Sequence, residues 1–536
     1  MIFGNRHKAI WTWFPKELSC YKVMLNYREA VIKFVNMSTK IATKSLEAYF
    51  AEFRQNIVGQ DYDFESVYGN QKLVYADWIA SGRLYEPIEE TIREKIGPMV
   101  ANTHSFSSET GKASTYAYHK ARQIIKDHVN ANADDVLVAS GTGMTGLLAR
   151  LQRMMGLRWP NSHERKQSLA LEERPVVFIS HKEHHSNHVS WMETIADVVI
   201  VEANEMGMVC PKKLKETLQA YINRPIKIGA FTACSNVTGI ITPYHQLAKV
   251  MHAYDGLCIM DFAASAPYVD IDMHPEAVDE HLDAVLFSPH KFLGGPGSCG
   301  VLVFNKALYK TEVPDVPGGG NVKWTTPWGD YGYHEDIETR EDGGTPGFLQ
   351  VMRAAMAIHL KEKMGTKQIA EREKELLDLC CAQLKKIEGL FILGEGDADR
   401  IGCVSFGIEG IHYNLIVRLL NDRFGIQVRG GWSCASTYGH YLFNLEKEKS
   451  KTIIENIEQK DLTLKPGWVR LSLHPVLTNA EVIFICNAVD QIATRIKEWE
   501  KDYRYNPKSN EFEHLLKSDE ALVDAVHDWL SLDSLH

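Results

Sequence analysis

The segment Ala284-Val-Leu-Phe-Ser-Pro-His-Lys-Phe-Leu-Gly-Gly-Pro-Gly297 contains a short apolar run, then a polar turn, then a glycine-rich bend. A continuous apolar run of this length is typical of a strand that is buried on both faces of a sheet. Lys291 follows this strand directly. Most loop lysines are surface residues, but an amine at the end of a buried strand can be desolvated and made nucleophilic. We therefore interpret Lys291 as a candidate catalytic residue.

Similar β-rich apolar runs recur on both sides of this segment. Most of them are separated by stretches long enough to form a helix, which predicts an α/β domain with a mainly parallel sheet covered by helices. Together with 284–287 they make a seven-stranded sheet. The six other runs are 136–139, 176–179, 198–201, 228–231, 257–260 and 301–304.

The pattern changes after Gly344-Thr-Pro346. A long helical stretch at 348–389, strand-like runs at 403–406 and 469–472, and a helical pattern at 479–499 predict a smaller α+β domain. The charged run 446–460 is typical of a solvated helical insertion. We divide the chain into an extension at 1–40, a segment at 41–95 that packs on the small domain, a large domain at 96–345, the small domain at 346–504 and an acidic tail at 505–536.

Composition excludes several classes of protein. The chain has 536 residues, 59 basic and 69 acidic, and a net charge of −10, so it has no basic field to attract nucleic acid or an anionic membrane. The ten cysteines are scattered without a CxxC pair, which favours a reducing compartment. No apolar run approaches the ~20 residues of a membrane span. We expect a cytoplasmic protein without nucleic-acid or membrane partners.

Asp261 strengthens the interpretation of Lys291. It ends the predicted strand 257–260 and lies 30 positions before Lys291. Ligands of open α/β sheets bind at the carboxyl ends of the strands, and an aspartate there can keep a pyridine nitrogen protonated so that the ring acts as an electron sink. An aspartate in this place can also be a simple cap. The pairing with Lys291 favours a pyridoxal 5′-phosphate (PLP) site.

The stretch Ser140-Gly-Thr-Gly-Met-Thr145 provides a candidate phosphate cradle. It follows the predicted strand 136–139 and begins a helix, so backbone N–H groups and the hydroxyls of Thr142 and Thr145 would face an anion. The spacing matches neither the ATP-binding GxxxxGK[ST] loop nor a full GxGxxG dinucleotide motif.

Four histidines at positions 181, 184, 185 and 188 share a helical face, which is one arrangement that binds zinc. The segment has no acidic or cysteine ligand set nearby and starts at a strand end. One histidine laid flat on a cofactor ring is the preferred interpretation, and we expect no metal.

Between about Tyr75 and Ile496 the chain resembles the class V aminotransferase family of fold-type I PLP enzymes, and within it the cysteine desulfurase and selenocysteine lyase branch. An ordered set of motifs is more specific than any one of them. The motifs are Tyr75-Ala-Asp77, Gly141-Thr142, Glu183-His-His-Ser-Asn187, Ser235-Asn-Val-Thr-Gly239, Asp261, Ser288-Pro-His-Lys291, Gly344-Thr-Pro346, Val428-Arg-Gly-Gly-Trp-Ser-Cys-Ala435 and Val469-Arg470.

The resemblance implies a role for each matched residue. Lys291 would bind PLP covalently and move the Cα proton, Asp261 would pair with the pyridine nitrogen, and His184 would stack on the ring. Asn236 would lie beside the phenolic oxygen and the substrate. Arg470 would clamp the substrate carboxylate, and Cys434 would attack the substrate sulfur. The phosphate would be held by Thr142, Ser288, His290 and, from the partner subunit of a homodimer, Thr345.

The implied activity is the removal of sulfur from cysteine, or selenium from selenocysteine, to give alanine and an enzyme persulfide, with a protein as a possible sulfur acceptor. Two departures from the branch affect that step: Ala264 stands where the desulfurases usually have glutamine, and Trp432-Ser433 stands where they have His-His. Cys434 and Arg470 are also 36 positions apart, more than the branch needs. One alternative is another class V activity, such as transamination, epimerisation or β-elimination, with Cys434 a plain loop residue. The other is a catalytically silent scaffold.

Overall fold

The computed structural model describes residues 45–396, 398–516 and 520–531, and the predicted extension 1–40 lies outside them. All seven predicted strands form one sheet. In chain order they are β1 (Asp135–Ser140), β2 (Val176–Ser180), β3 (Asp197–Val201), β4 (Lys227–Thr232), β5 (Leu257–Asp261), β6 (Ala284–Phe287) and β7 (Gly300–Asn305).

The order of the strands across the sheet is β1-β7-β6-β5-β4-β2-β3. Pairing is parallel from β6 through to β3, whereas β7 runs antiparallel to both of its neighbours. The predicted mainly parallel sheet is thus confirmed. Because β1, β2, β4, β5 and β6 run in one direction, their carboxyl ends meet at one edge, where ligands of such sheets bind.

Alternate residues of each strand face opposite sides of the sheet, so both faces are covered by apolar packing. Leu137 and Phe287 pack in the core that contains the helix Glu109–His128, while Val136 and Leu286 pack in the core that contains Leu147 and Trp191. The covering helices are Glu109–His128, Met144–Met154, Ser162–Ser168, His185–Met192, Pro211–Gln219 and Tyr244–His252.

The helical stretch after Pro346 is two helices that belong to different cores. Phe348–Met364 buries Val351 and Ile358 in the core of the large domain, where it contacts Glu109–His128. The next helix, Thr366–Leu384, buries Leu376 and Cys380 in the core of the small domain. The sequence pattern therefore changes at 344–346, but the chain enters the core of the small domain only one helix later, with Thr366–Leu384.

An antiparallel four-stranded sheet forms the small domain. Its strands lie in the order Leu390–Ile392, Cys403–Ile408, Trp468–Ser472 and Arg429–Gly431. The helices Tyr413–Phe424 and Asn479–Trp499 pack on it through an apolar core. The remaining helices of this part of the chain are Ser436–Leu442 and the largely exposed Lys447–Glu458.

The segment before the large domain touches the small one. The helix Leu46–Arg54 places Arg54 in an ion pair with Glu481, 2.5 Å from nitrogen to oxygen, and Val74–Tyr75 pairs in parallel with Ile426–Gln427. The other elements of this segment are the hairpin strands Asp63–Ser66 and Gly69–Lys72, and the helical turns Glu86–Glu90, Thr91–Ile96 and Gly97–Met99.

The acidic tail predicted from 505 begins inside a hairpin. Tyr503–Asn506 pairs with Glu511–His514, and Asn510 donates a hydrogen bond of 2.6 Å from its side chain to the Tyr413 hydroxyl. This hairpin is packed on the small domain because its aromatic and amide side chains have partners there. The following helix, Glu520–Ser531, is largely exposed. Every helix within the described ranges is too short or too polar to cross a lipid bilayer.

Candidate active site

A cavity of about 610 Å³ lies at the carboxyl edge of the large sheet, between the sheet and the small domain. It brings together most of the residues predicted from the sequence. Of those residues, the cavity is lined by Thr142, His184, Asn236, Asp261, Ser288, His290, Lys291, Cys434 and Arg470.

Lys291 lies in a short helical turn, Pro289–Lys291, directly after β6. A Cβ at Gly295 would lie 1.8 Å from the carbonyl oxygen of Pro289, so the chain can fold back beneath the lysine only with glycine there. Burial lowers the pKa of Lys291 to about 8, although the Asp261 carboxylate acts in the opposite direction. A much larger share of this amine is therefore neutral at pH 7 than of an ordinary lysine.

Asp261 ends β5 and is 4% exposed. Its Oδ1 accepts a hydrogen bond of 2.8 Å from the Ala263 backbone. Burial raises the pKa of Asp261, which the Ala263 amide and the Lys291 charge only partly offset. A buried carboxylate in a cavity, with no ion pair to any residue that the structure describes, is suited to a positively charged group of a ligand.

The predicted anion cradle brings the stretch 140–145 next to Ser288 and Ser186 of the same domain. The Met144 backbone N–H, at the start of the helix Met144–Met154, donates to the Ser288 hydroxyl at 3.0 Å, and the hydroxyls of Thr145 and Ser186 are 2.8 Å apart. Burial, with the Lys291 charge, lowers the pKa of His290 to about 4. Its ring is therefore neutral at pH 7. The hydrogen-bond donors at this end of the cavity are hydroxyl and backbone N–H groups.

His184 precedes the helix His185–Met192 and caps it: the Ser186 backbone N–H donates to Nδ1 at 3.1 Å. Burial first, and then the Lys291 charge, lower the pKa of His184 to about 4. The ring is therefore neutral, with its proton on Nε2. An uncharged ring of fixed orientation can stack on a planar ligand.

Glu183 holds the turn that carries His184. The Glu183 side chain accepts hydrogen bonds from the Thr232 backbone at 3.0 Å and from the Asn187 side chain at 2.7 Å. Burial raises its pKa to about 7, against these hydrogen bonds. The sequence motif contained Glu183 but did not reveal that it joins β4 to this turn.

Arg470 is buried and already has a carboxylate partner. Its Nη2 is 2.7 Å from Oδ1 of Asp77, and Nη1 donates to the Asn236 backbone carbonyl at 3.2 Å. Nε is buried without a hydrogen-bond partner among the residues described. Arg429 reaches the other oxygen of Asp77 at 3.2 Å and also lines the cavity. Asp77 and Arg429 are thus site residues to which the sequence analysis gave no role.

The loop that carries Cys434 is fixed by the large domain. The Asn236 side chain donates to the Ser433 carbonyl, and the His185 backbone N–H donates to the Cys434 carbonyl, both at 2.7 Å. Ser433 and Cys434 both have positive φ, 47° and 57°. The Cys434 side chain is exposed and faces the cavity. Since the Asn236 nitrogen binds Ser433, its Oδ1 is left as a buried acceptor without a partner in the described chain.

The four clustered histidines make separate contacts. His181 binds the Gly207 carbonyl, His184 faces the cavity, and His185 and His188 bind Ser436 and Thr437 at the start of the helix Ser436–Leu442. Of these four histidines, only His184 lines the cavity.

The sequence analysis singled out three other positions, Thr345, Ala264 and Trp432. Thr345 is exposed and does not line the cavity of this chain. Ala264 does line it, so a methyl group occupies the position of the usual glutamine. Trp432 packs edge-on to His440, 5.2 Å between ring centres.

A family model described as class V aminotransferase matches residues 74–483 of the chain. A probable cysteine desulfurase of Halalkalibacterium halodurans is 26% identical over 371 residues, which are 68% of this chain and 84% of that protein. A cysteine desulfurase of Synechococcus elongatus is 29% identical over 62% of this chain and 50% of that protein.

Two solved structures resemble this fold closely. An apo cysteine desulfurase of Thermococcus onnurineus has a TM-score of 0.66 at 20% identity, and a cysteine desulfurase of Escherichia coli has 0.65 at 22%. Each likeness covers 83% of this chain and 98% of the other. These likenesses confirm the fold that the sequence predicts.

Proposed function

Because the chain belongs to the class V aminotransferase family, we propose that its cavity holds PLP and removes sulfur from L-cysteine. The observation that supports this most is the presence of Asp261, Lys291 and Cys434 in one cavity. The Asp261 carboxylate fits a protonated pyridine nitrogen, and the Lys291 amine fits an aldehyde. The hydroxyl and N–H groups at the start of the helix Met144–Met154 fit a phosphate.

Each of these residues has a distinct role in the proposal. Lys291 would hold PLP covalently, Asp261 would bind its ring nitrogen, and His184 would cover one face of the ring. Thr142, Ser288 and His290 would bind the phosphate. PLP, when bound, supplies an electron sink that weakens bonds at the Cα of an amino acid.

The side chains of the protein would then position the substrate and move its protons. Arg470 and Arg429 would bind the carboxylate of the substrate. This carboxylate would take the place of part of their contact with Asp77. Asn236 Oδ1, which lacks a donor, would accept a hydrogen bond from the substrate nitrogen. Lys291 Nζ would carry the Cα proton.

Cys434 would take the sulfur. Its thiolate would form a sulfur–sulfur bond as the Cβ–S bond of the substrate breaks, and the electron pair of that bond, with a proton, would complete the methyl group of alanine. The products are alanine and a persulfide on Cys434. Selenocysteine would be a second substrate, and an external thiol or a protein would accept the sulfur.

A second class V activity is favoured by two departures from the desulfurase branch. The residues before Cys434 are Trp432 and Ser433 instead of His-His, and Ala264 supplies no hydrogen bond where the branch has glutamine. If Cys434 is only a loop residue, the same cavity would support transamination, epimerisation or β-elimination. A catalytically silent scaffold is disfavoured because Lys291, Asp261 and Arg470 are all in place.

The test is to incubate the purified protein with PLP and L-cysteine in the presence of a reductant, and to assay sulfide and alanine. We expect the two products in equal amounts. Pyruvate with ammonia would indicate β-elimination, a keto acid without free sulfide would indicate transamination, and no reaction with any amino acid would favour the scaffold.

We expect the rate at which apoprotein takes up added PLP to rise with pH between 7 and 9. Only the neutral Lys291 amine reacts with an aldehyde, and burial, partly opposed by Asp261, lowers its pKa to about 8. The neutral fraction then rises from about 10% at pH 7 to about 90% at pH 9. The measurement is the visible absorbance of bound PLP against time. A rate that still rises about tenfold per pH unit above pH 9 would show an ordinary lysine.

We expect the protein to be a homodimer in which Thr345 reaches the phosphate of the partner subunit. Thr345 is exposed and absent from the cavity of its own chain, which fits a contribution to a second copy. Thr345→Ala should leave the dimer intact in sedimentation and weaken PLP retention several-fold. The matched control is Thr325→Ala, an exposed position outside the cavity. A monomer that retains PLP fully would exclude this arrangement.

A further inference from the structure

His185 contacts the loop that carries Cys434 at two points. Its backbone N–H donates to the Cys434 carbonyl at 2.7 Å, and its ring Nε2 accepts a hydrogen bond of 3.0 Å from the Ser436 backbone N–H. The Ser436 hydroxyl lies 2.7 Å from the same ring nitrogen. One residue of the large domain therefore holds both neighbours of Ala435, and with them the residue that carries the thiol.

The ring of His185 makes this contact as a neutral group. A backbone N–H only donates, so Nε2 carries the lone pair and the ring proton is on Nδ1. Burial, and then the Lys465 charge, lower the pKa of His185, which keeps the ring neutral at pH 7. Ala435, which precedes the helix Ser436–Leu442, has no side chain that accepts a hydrogen bond. His185 thus supplies the acceptor for the first N–H of this helix.

The loop depends on such contacts because its own backbone conformation is unfavourable. Ser433 and Cys434 both have positive φ, which residues other than glycine adopt only rarely. Two side chains of the large domain oppose the escape of the loop: Asn236 donates to the Ser433 carbonyl at 2.7 Å, and His185 accepts from Ser436. Asn236 lines the cavity, whereas His185 does not. The His185 side chain can therefore act on a reaction in the cavity only through its neighbours.

We propose that His185 is a positioning residue for the transfer of sulfur to Cys434, an inference that rests on the function proposed above. The turn that places His184 in the cavity is fixed by the hydrogen bonds of Glu183, and the next residue, His185, holds the loop. One short segment, 183–185, thus sets both the ring that would cover the cofactor and the place of the thiol. Loss of the His185 ring would release the thiol without changing the groups that would bind PLP or the substrate carboxylate.

The first test compares His185→Ala with His185→Gln in steady-state assays of sulfide release from L-cysteine. His185→Ala should lower kcat about tenfold, the loss expected for one hydrogen bond, and leave KM and PLP absorbance unchanged. His185→Gln should recover most of the rate, since an amide oxygen can accept from the Ser436 N–H. The control is His188→Ala, which removes a contact of 3.2 Å to the Thr437 hydroxyl between the same two helices and should behave as the parent does.

The second test asks whether the effect passes through the thiol. In a Cys434→Ala protein, the further change His185→Ala should not alter the residual turnover of selenocysteine, because the side chain that His185 positions is already absent. Hydrogen–deuterium exchange of the peptide 432–442 reports on the loop directly and needs no turnover. Exchange should be faster in His185→Ala than in the parent protein, and unchanged in His188→Ala.

The inference is wrong if a His185→Ala protein that is folded by circular dichroism keeps either the parent kcat or the parent exchange, or if His185→Gln loses as much rate as His185→Ala. It is also wrong if His185→Ala raises KM, weakens PLP absorbance or slows the Cys434→Ala protein further, since His185 would then act on the ligands through His184. If the parent protein releases no sulfide, the proposed function fails, and the exchange of the peptide 432–442 still decides whether His185 holds the loop.

Discussion

Lys291→Ala is expected to abolish covalent PLP binding and to lower turnover by about a thousandfold or more. Lys291 is the one lysine that lines the described part of the cavity. In the proposed function the variant removes both the amine that would hold the cofactor and the group that would move the Cα proton. The measurement is the visible absorbance of the purified protein, followed by borohydride reduction and peptide mapping. In the parent protein, the label should lie on the peptide that contains Lys291.

Lys182 provides a matched control. It is buried in the turn after β2, which β4 and β5 separate from β6. Burial lowers its pKa to about 8, as for Lys291, but it does not line the cavity. Lys182→Met should keep the absorbance and the label. A low pKa alone thus does not select the cofactor lysine. A label on Lys182, or a colourless parent protein that takes up no PLP, would contradict the PLP assignment.

Cys434→Ala is expected to leave PLP absorbance and cysteine binding unchanged and to lower sulfide release by about a hundredfold or more. The Cys434 side chain is exposed and faces the cavity that holds Lys291. Without the thiol, no group can form the new bond to sulfur. The measurements are sulfide release, and mass spectrometry of the protein for the added sulfur atom, which only the parent should carry.

Selenocysteine gives a second readout of the same variant. Selenium leaves carbon more readily than sulfur, so Cys434→Ala should retain part of its activity on selenocysteine. The control is Cys381→Ala, a partly exposed cysteine of the small domain, which should behave as the parent does. If Cys434→Ala releases sulfide at the parent rate, the desulfurase proposal falls and a different class V activity replaces it.

The sequence predicted the large sheet well because its strands are continuous apolar runs. Every residue of β4 and β6 is buried. Such strands can be predicted from their own apolar residues, without knowledge of the strands beside them. Asp261 and Lys291 could be predicted as site residues because each follows such a strand, and parallel strands bring their carboxyl ends together.

Contacts between distant segments were not predictable in this way. Asp77 pairs with Arg470 across 393 positions, and the His185 amide binds the Cys434 carbonyl from a separate domain. Neither pair has a spacing that a helix or a strand would impose. The helix Phe348–Met364 was assigned to the small domain for a related reason: an apolar helix face shows that it is buried, but not against which core.

The two left-handed residues in the loop before Ala435 have a consequence for how sulfur leaves the protein. A residue other than glycine in this conformation costs about 1 kcal/mol or more, so Ser433 and Cys434 together favour a different loop shape. The hydrogen bonds from Asn236 and His185 oppose that change, each by about 1 kcal/mol. The backbone conformation and these two hydrogen bonds therefore act in opposite directions with similar magnitude. If Cys434 takes the sulfur as proposed, this loop could carry the persulfide outward to an acceptor without any movement of the large sheet.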